Sequence, residues 1–119
     1  MSRLAIVGYR YFTDYKVFVQ IVNSYMIEHE VETIVSGGAE GVDAMAKRYA
    51  DEYDYDYIEF PAEWTKYGTK AGPIRNTQIV QNCDRVLALT SVNSRGTFDT
   101  IKKAKKLLGD KMVREINID

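Results

Sequence analysis

A single cysteine, a single histidine and two prolines are all that the 119 residues contain of those types. Cys83 therefore has no partner for an internal disulfide, and no cluster of thiolates is available to hold a metal. His29 alone is an equally poor basis for a histidine metal site, so no metal or other cofactor is expected. No apolar run approaches the roughly 18 residues that span a bilayer, and residues 4–7 are too short for the apolar segment of a secretory leader. A lone thiol and no spanning segment fit a cytoplasmic protein with no membrane partner. Charge of one sign is missing too, with 16 Lys and Arg against 17 Asp and Glu. A nucleic-acid binder draws on a surplus of cations, so the balance argues against such a partner. Lys102, Lys103, Lys105 and Lys106 do cluster, and read as the solvated face of a helix.

What remains is an ordinary globular inventory, 45% hydrophobic and 28% charged, enough to fill a core. Short apolar runs at 4–7, 33–35, 57–60, 86–89 and 112–118 alternate with segments of helical period. Val42, Met45, Ala46, Tyr49, Ala50 and Tyr53 repeat at i, i+3, i+4, i+7, as on the buried face of a helix. Phe18, Ile21, Val22 and Tyr25 do so earlier, and Thr97, Ile101, Ala104 and Leu108 later. The weaker segment 73–83 begins with Pro73, which suits a first helical turn. This order predicts one domain over residues 1–119. Its class is α/β, a Rossmann-like, doubly wound and mainly parallel five-stranded sheet with helices on both faces. The run 86–89 is apolar on both strand faces, as a central strand requires.

In such sheets ligands bind beyond the carboxyl ends of the strands, where strand order reverses. The segments to inspect are therefore 8–14, 36–43, 61–72 and 90–97. The first begins Gly8-Tyr9-Arg10. The second contains Gly37, Gly38, Gly41 and Asp43 and opens a helix, so its backbone N–H groups and the helix dipole suit phosphate. A tight strand-to-helix turn would use the same glycines, and the pattern is neither a Walker loop nor the dinucleotide fingerprint. Arg95, Gly96 and Thr97 form a second turn of this kind. Arg75 and Asn76 stand near a third helix start, where a guanidinium fork suits phosphate and a carboxamide suits ribose or base. Arg75 pairing with a surface carboxylate is the structural alternative. The stretch 61–72 is long for so small a domain, and structureless loops of that length tend to be lids or binding loops. Its Trp64 and Tyr67 suit either stacking on a base or packing over the sheet edge.

Three runs together resemble the SLOG superfamily of Rossmann-like nucleotide-binding domains, and in particular its small YspA-like members. They are Gly8-Tyr9-Arg10, the Gly-Gly-Ala-x-Gly-Val-Asp run at 37–43, and Pro-Ala-x-Trp…Tyr-Gly…Ala-Gly-Pro-Ile-Arg-Asn at 61–76. Arg95-Gly96-Thr97 fits as well. More distant similarities are to the DNA-processing protein DprA and to the Lonely Guy phosphoribohydrolases. The resemblance implies a small nucleotide-derived ligand, bound as a signal to be sensed or sequestered, and subunits that pair through helices as a homodimer. It also implies that Gly37, Gly38, Gly41 and Asp43 line one turn and that Arg75 matches an arginine of the Lonely Guy enzymes. Asn76 stands where those enzymes have lysine. Their Gly-Thr-x-x-Glu run ends here on Thr100, with Asp99 one residue early. Whether the ligand is hydrolysed at an N-glycosidic bond, with Asp43 or Asp99 as the catalytic carboxylate, or only bound stays open at this point. Single-stranded nucleic acid is a weaker alternative.

Overall fold

Leu4 and Ile6 lie in one buried cluster and Ala5 and Val7 in another, because successive strand residues face opposite sides of a sheet. Leu87 and Leu89 alternate with Val86 and Ala88 in the same way. These two strands are therefore covered on both sides, and helices must lie above and below them. The computed structural model describes residues 2–119 and shows that arrangement.

Five parallel strands, β1 (Arg3–Gly8), β2 (Thr33–Ser36), β3 (Asp56–Glu59), β4 (Arg85–Thr90) and β5 (Val113–Asn117), stand in the order β3-β2-β1-β4-β5. The helices α1 (Tyr15–Glu28) and α2 (Val42–Glu52) bring Phe18, Val22, Tyr25, Ala46 and Tyr49 onto Leu4, Ile6, Ile34, Leu87 and Leu89. On the opposite face, α4 (Ala71–Gln81) and α5 (Arg95–Leu108) contribute Ile79, Val80, Ile101 and Ala104 over Ala5, Val7, Val35, Val86 and Ala88. Each such large side chain, taken out of water, stabilises the fold by about 1.5–3 kcal/mol. Among the described residues no helix is long and apolar enough to cross a membrane.

The connection between β3 and α4 departs from the expectation of an irregular loop. It holds a short helix, α3 (Trp64–Tyr67), followed by a 3-10 turn at Gly68–Lys70 that runs straight into α4. Pro73 falls at the third position of α4, still within the first turn, where its missing N–H costs no hydrogen bond. The strand order reverses between β1 and β4. From there one loop leads to α1 on one face and the other to α5 on the opposite face, which opens a crevice between them.

Candidate functional site

The crevice is a cleft of about 290 Å³ lined by Gly8, Tyr9, Arg10 and Tyr11 on the β1 side and by Asn93, Ser94, Arg95, Gly96 and Thr97 on the β4 side. Tyr9 anchors it. Its N–H donates to the Leu89 carbonyl at 3.0 Å, and its own carbonyl accepts from Val42 N–H at 3.2 Å. The Tyr9 and Tyr11 rings meet edge to face at 5.6 Å, and the Arg10 guanidinium lies 5.5 Å from the Tyr11 ring centre. Arg10 and Arg95 are exposed, and neither forms an ion pair among the described residues.

The two glycine-bearing turns, alike in sequence, differ in what they leave free. At the start of α2, Gly41 has φ 70°, and a side chain there would run into the backbone of Tyr9 and Arg10. The adjoining Val42 N–H is already bonded to the Tyr9 carbonyl, and Ala39 N–H donates to the Asp43 carboxylate at 3.2 Å. Gly37 lies against Arg75 and Asp43, and Gly38 against Glu59. The glycines of this turn are thus accounted for by the chain's own close packing. At the start of α5, Ser94 Oγ accepts from Ser91 N–H at 2.9 Å and does not cap the helix. The N–H groups of Gly96 and Thr97 have no protein partner among the described residues. A Cβ on Gly96 would meet no atom within 4 Å. Of the two turns, only this second one lines the cleft.

The third helix start is closed in another way. Because the 3-10 turn feeds α4, its first residues have no exposed end. Arg75 Nη1 donates to the Gly37 carbonyl at 2.8 Å, and Nε donates to Asn76 Oδ1 at 3.0 Å. Asn76, buried, donates from Nδ2 to the Gly96 carbonyl at 3.2 Å and to Asp99 at 3.0 Å. Its amide therefore fixes the entry of α5, with both Nδ2 protons engaged. Arg75 meets neither the surface carboxylate nor the main cleft; it braces the turn after β2.

Behind the cleft lies a cavity of about 40 Å³ lined by Val7, Gly8, Asp43, Arg75, Asn76, Ile79, Gly96, Thr97 and Thr100. Burial pushes the Asp43 carboxyl above its ordinary value, against the opposing pull of Ala39 N–H, the Arg75 guanidinium, the Ser36 hydroxyl and Gly37 N–H. Asp99 is the reverse case. Partial burial would raise it, but hydrogen bonds from Asn76 and Lys103, with the charge of Lys103, hold it below the ordinary carboxylate value. Lys103 Nζ stands 2.9 Å from Asp99, which lines neither the cleft nor the cavity. Trp64 is 61% exposed, with its ring edge 3.5 Å from where a Gly72 Cβ would stand. It too lies outside both spaces.

Of the residues singled out in the sequence, then, Gly8, Tyr9, Arg10, Arg95, Gly96 and Thr97 share the cleft, and Asp43, Arg75 and Asn76 stand behind it. Sequence reasoning passed over Tyr11, Asn93, Ser94 and the lining role of Thr100. The first three fall inside segments already marked by their place after β1 and β4, and only their neighbours' more distinctive chemistry drew attention away.

A parallel sheet reversing at β1 and β4, with the cleft at that reversal, defines a Rossmann-like domain of the kind that holds small ligands at its strand ends. Comparison of the sequence with protein families narrows the class: the profile of the YspA, cpYpsA-related SLOG family matches residues 2–67. The chain belongs to that SLOG family, and a nucleotide-related ligand follows from membership in general terms. The matched part runs from β1 through α3, so Arg95 and the open turn before α5 lie beyond it. A search of curated proteins finds no match.

Proposed function

We propose that the chain binds a phosphate-bearing nucleotide or nucleotide derivative in the cleft between β1 and β4, as a sensor or sequestering domain for that ligand. The observation that carries this reading is the meeting, at the reversal of strand order, of an uncapped helix N-terminus with Arg10 and Arg95, two cations without a carboxylate partner among the described residues. A helix end carries about half a unit of positive charge, and guanidinium groups match phosphate oxygens in pairs. Tyr9 and Tyr11 offer aromatic surface to a base. A volume of about 290 Å³ sits near the lower end of small-molecule sites, roughly 300–1,000 Å³, which favours a mononucleotide-sized ligand. Thermal-shift and calorimetric screening against nucleoside mono-, di- and triphosphates, NAD, ADP-ribose and cyclic nucleotides is expected to find a stabilising ligand. Silence from all of them at millimolar concentration, beside a clear response to a non-nucleotide, overturns the reading.

A hydrolytic reading, cleavage of a nucleotide's N-glycosidic bond, has one observation in its favour. Asp43 is a buried carboxyl on a cavity that shares Gly8, Gly96 and Thr97 with the cleft. Asp99 is tied to Asn76 and Lys103, and the Thr100 hydroxyl donates to the Gly96 carbonyl at 3.2 Å. Neither supplies the carboxylate that a Lonely Guy type of reaction needs beside the sugar. Adenine and cytokinin nucleotides incubated with the protein should therefore release no free base. Turnover above about 1 per second, the low end of ordinary enzyme rates, would refute that statement.

A further inference from the structure

The small cavity behind the cleft has a lining that selects a particular chemical group. Its roughly 40 Å³ accommodates something of the size of one water, whose share of liquid volume is about 30 Å³. A base or a sugar ring does not fit. Asp43, 5% exposed, presents a carboxyl to it. Thr97, 7% exposed, borders both the cavity and the cleft, and its hydroxyl has no hydrogen-bond partner among the described residues. No fully enclosed side-chain nitrogen or oxygen of the described residues lacks a partner, so the Thr97 oxygen keeps its contact with the space it borders. Of the other polar groups there, Asn76 and Thr100 are engaged with Gly96 and Asp99, and Arg75 donates to Gly37 and Asn76, while Asp43 itself accepts one bond, from Ala39 N–H.

The side chains on the lining of this cavity thus include a carboxyl, that of Asp43, a hydroxyl, that of Thr97, and the Arg75 guanidinium. An ammonium could donate to both, but the Arg75 guanidinium on the same lining repels a cation. A carbonyl accepts but cannot donate to Asp43, and a phosphate oxygen is repelled by it. A hydroxyl does both. Because Gly8, Gly96 and Thr97 belong to both spaces, a ligand whose phosphate lies at the turn before α5 can project a neighbouring group inward.

We propose that this cavity is a hydroxyl-recognising subsite, in which Asp43 and Thr97 bind a free sugar hydroxyl of the ligand and so make the protein selective for ribonucleotides over deoxyribonucleotides. The proposal rests on the nucleotide reading of the cleft. A site built to pair with a hydroxyl rejects the analogue that lacks it, because its buried polar groups are then left without a partner. For a hydrogen bond to a charged group the discrimination is about tenfold or more.

The experiment is calorimetric titration with the four ribonucleoside 5′-monophosphates and with their 2′-deoxy and 3′-deoxy counterparts. The parent protein and the variants Thr97→Val and Asp43→Asn are titrated alike. The expected result is that at least one ribonucleotide binds about tenfold or more tightly than one of its deoxy forms, and that both variants bring the two affinities together. Equal binding of ribo and deoxy forms to the parent overturns the subsite while leaving the phosphate cleft standing. A preference that survives in both variants also overturns it, since the hydroxyl is then read elsewhere. If no member of either series binds, the nucleotide reading falls and the subsite with it. Should Thr97→Val fail to fold, the parent comparison and Asp43→Asn still decide.

Discussion

Gly96→Ala separates what the fold needs from what a ligand needs. An alanine Cβ at this position meets nothing within 4 Å, and Gly96 is not among the residues with positive φ. The substitution should therefore leave the fold intact and, by helix propensity, add stability of up to about 1 kcal/mol. That corresponds to a rise in Tm of roughly 4 °C for a domain of this size. Binding should respond in the opposite sense. A methyl group on the rim of the cleft occupies space that a phosphate needs to approach the Gly96 and Thr97 N–H groups. Overpacking of that kind costs about 1–3 kcal/mol, or roughly a five- to hundredfold rise in Kd. Gly41→Ala is the contrasting control. With φ 70° and the Tyr9 and Arg10 backbone against it, it should lose at least about 1–2 kcal/mol of stability. Urea melts and calorimetry with the best nucleotide from the screen read both effects. Unchanged affinity in Gly96→Ala would falsify the placement of the phosphate at this turn. A large loss of stability there would refute the open geometry itself.

The cations of the cleft should act through charge: Arg10→Ala and Arg95→Ala are each expected to raise Kd about tenfold, and added salt should shrink the effect. Equal Kd for parent and both variants in low salt would remove these residues from the site. Asp99 titrates below its ordinary value when folded, so the folded protein holds that proton less tightly than the unfolded chain. Its contribution to stability is present at neutral pH and lost as pH falls through the lowered folded value. Asp99→Asn should accordingly melt lower than the parent at pH 7, with the gap closing in strong acid; a gap independent of pH contradicts the assignment. Burial pushes the Cys83 thiol up to about 12, so a thiol reagent at neutral pH should label it in urea and scarcely at all in the folded protein. Rapid labelling under native conditions would show the second core cluster to be open.

The sequence by itself determined the layered α/β fold and the segments at which a site must be sought. Apolar alternation in residues 4–7 and 86–89 made both faces of β1 and β4 buried, and that demand is local to each strand. Position after a strand marked residues 8–14 and 90–97 without any knowledge of contacts. The tertiary structure alone decided which of two similar glycine turns lines the cleft. The first N–H of α2, that of Val42, is closed by a carbonyl from Tyr9, far away in the chain, whereas the first N–H of α5, that of Arg95, has no protein partner among the described residues. It also drew Arg75 to the Gly37 carbonyl and Asn76 to Gly96, so that both brace the turns on which they stand. Every buried donor takes a partner wherever the fold brings one near. The group left free for a ligand is thus settled by distances between segments that the local sequence does not encode.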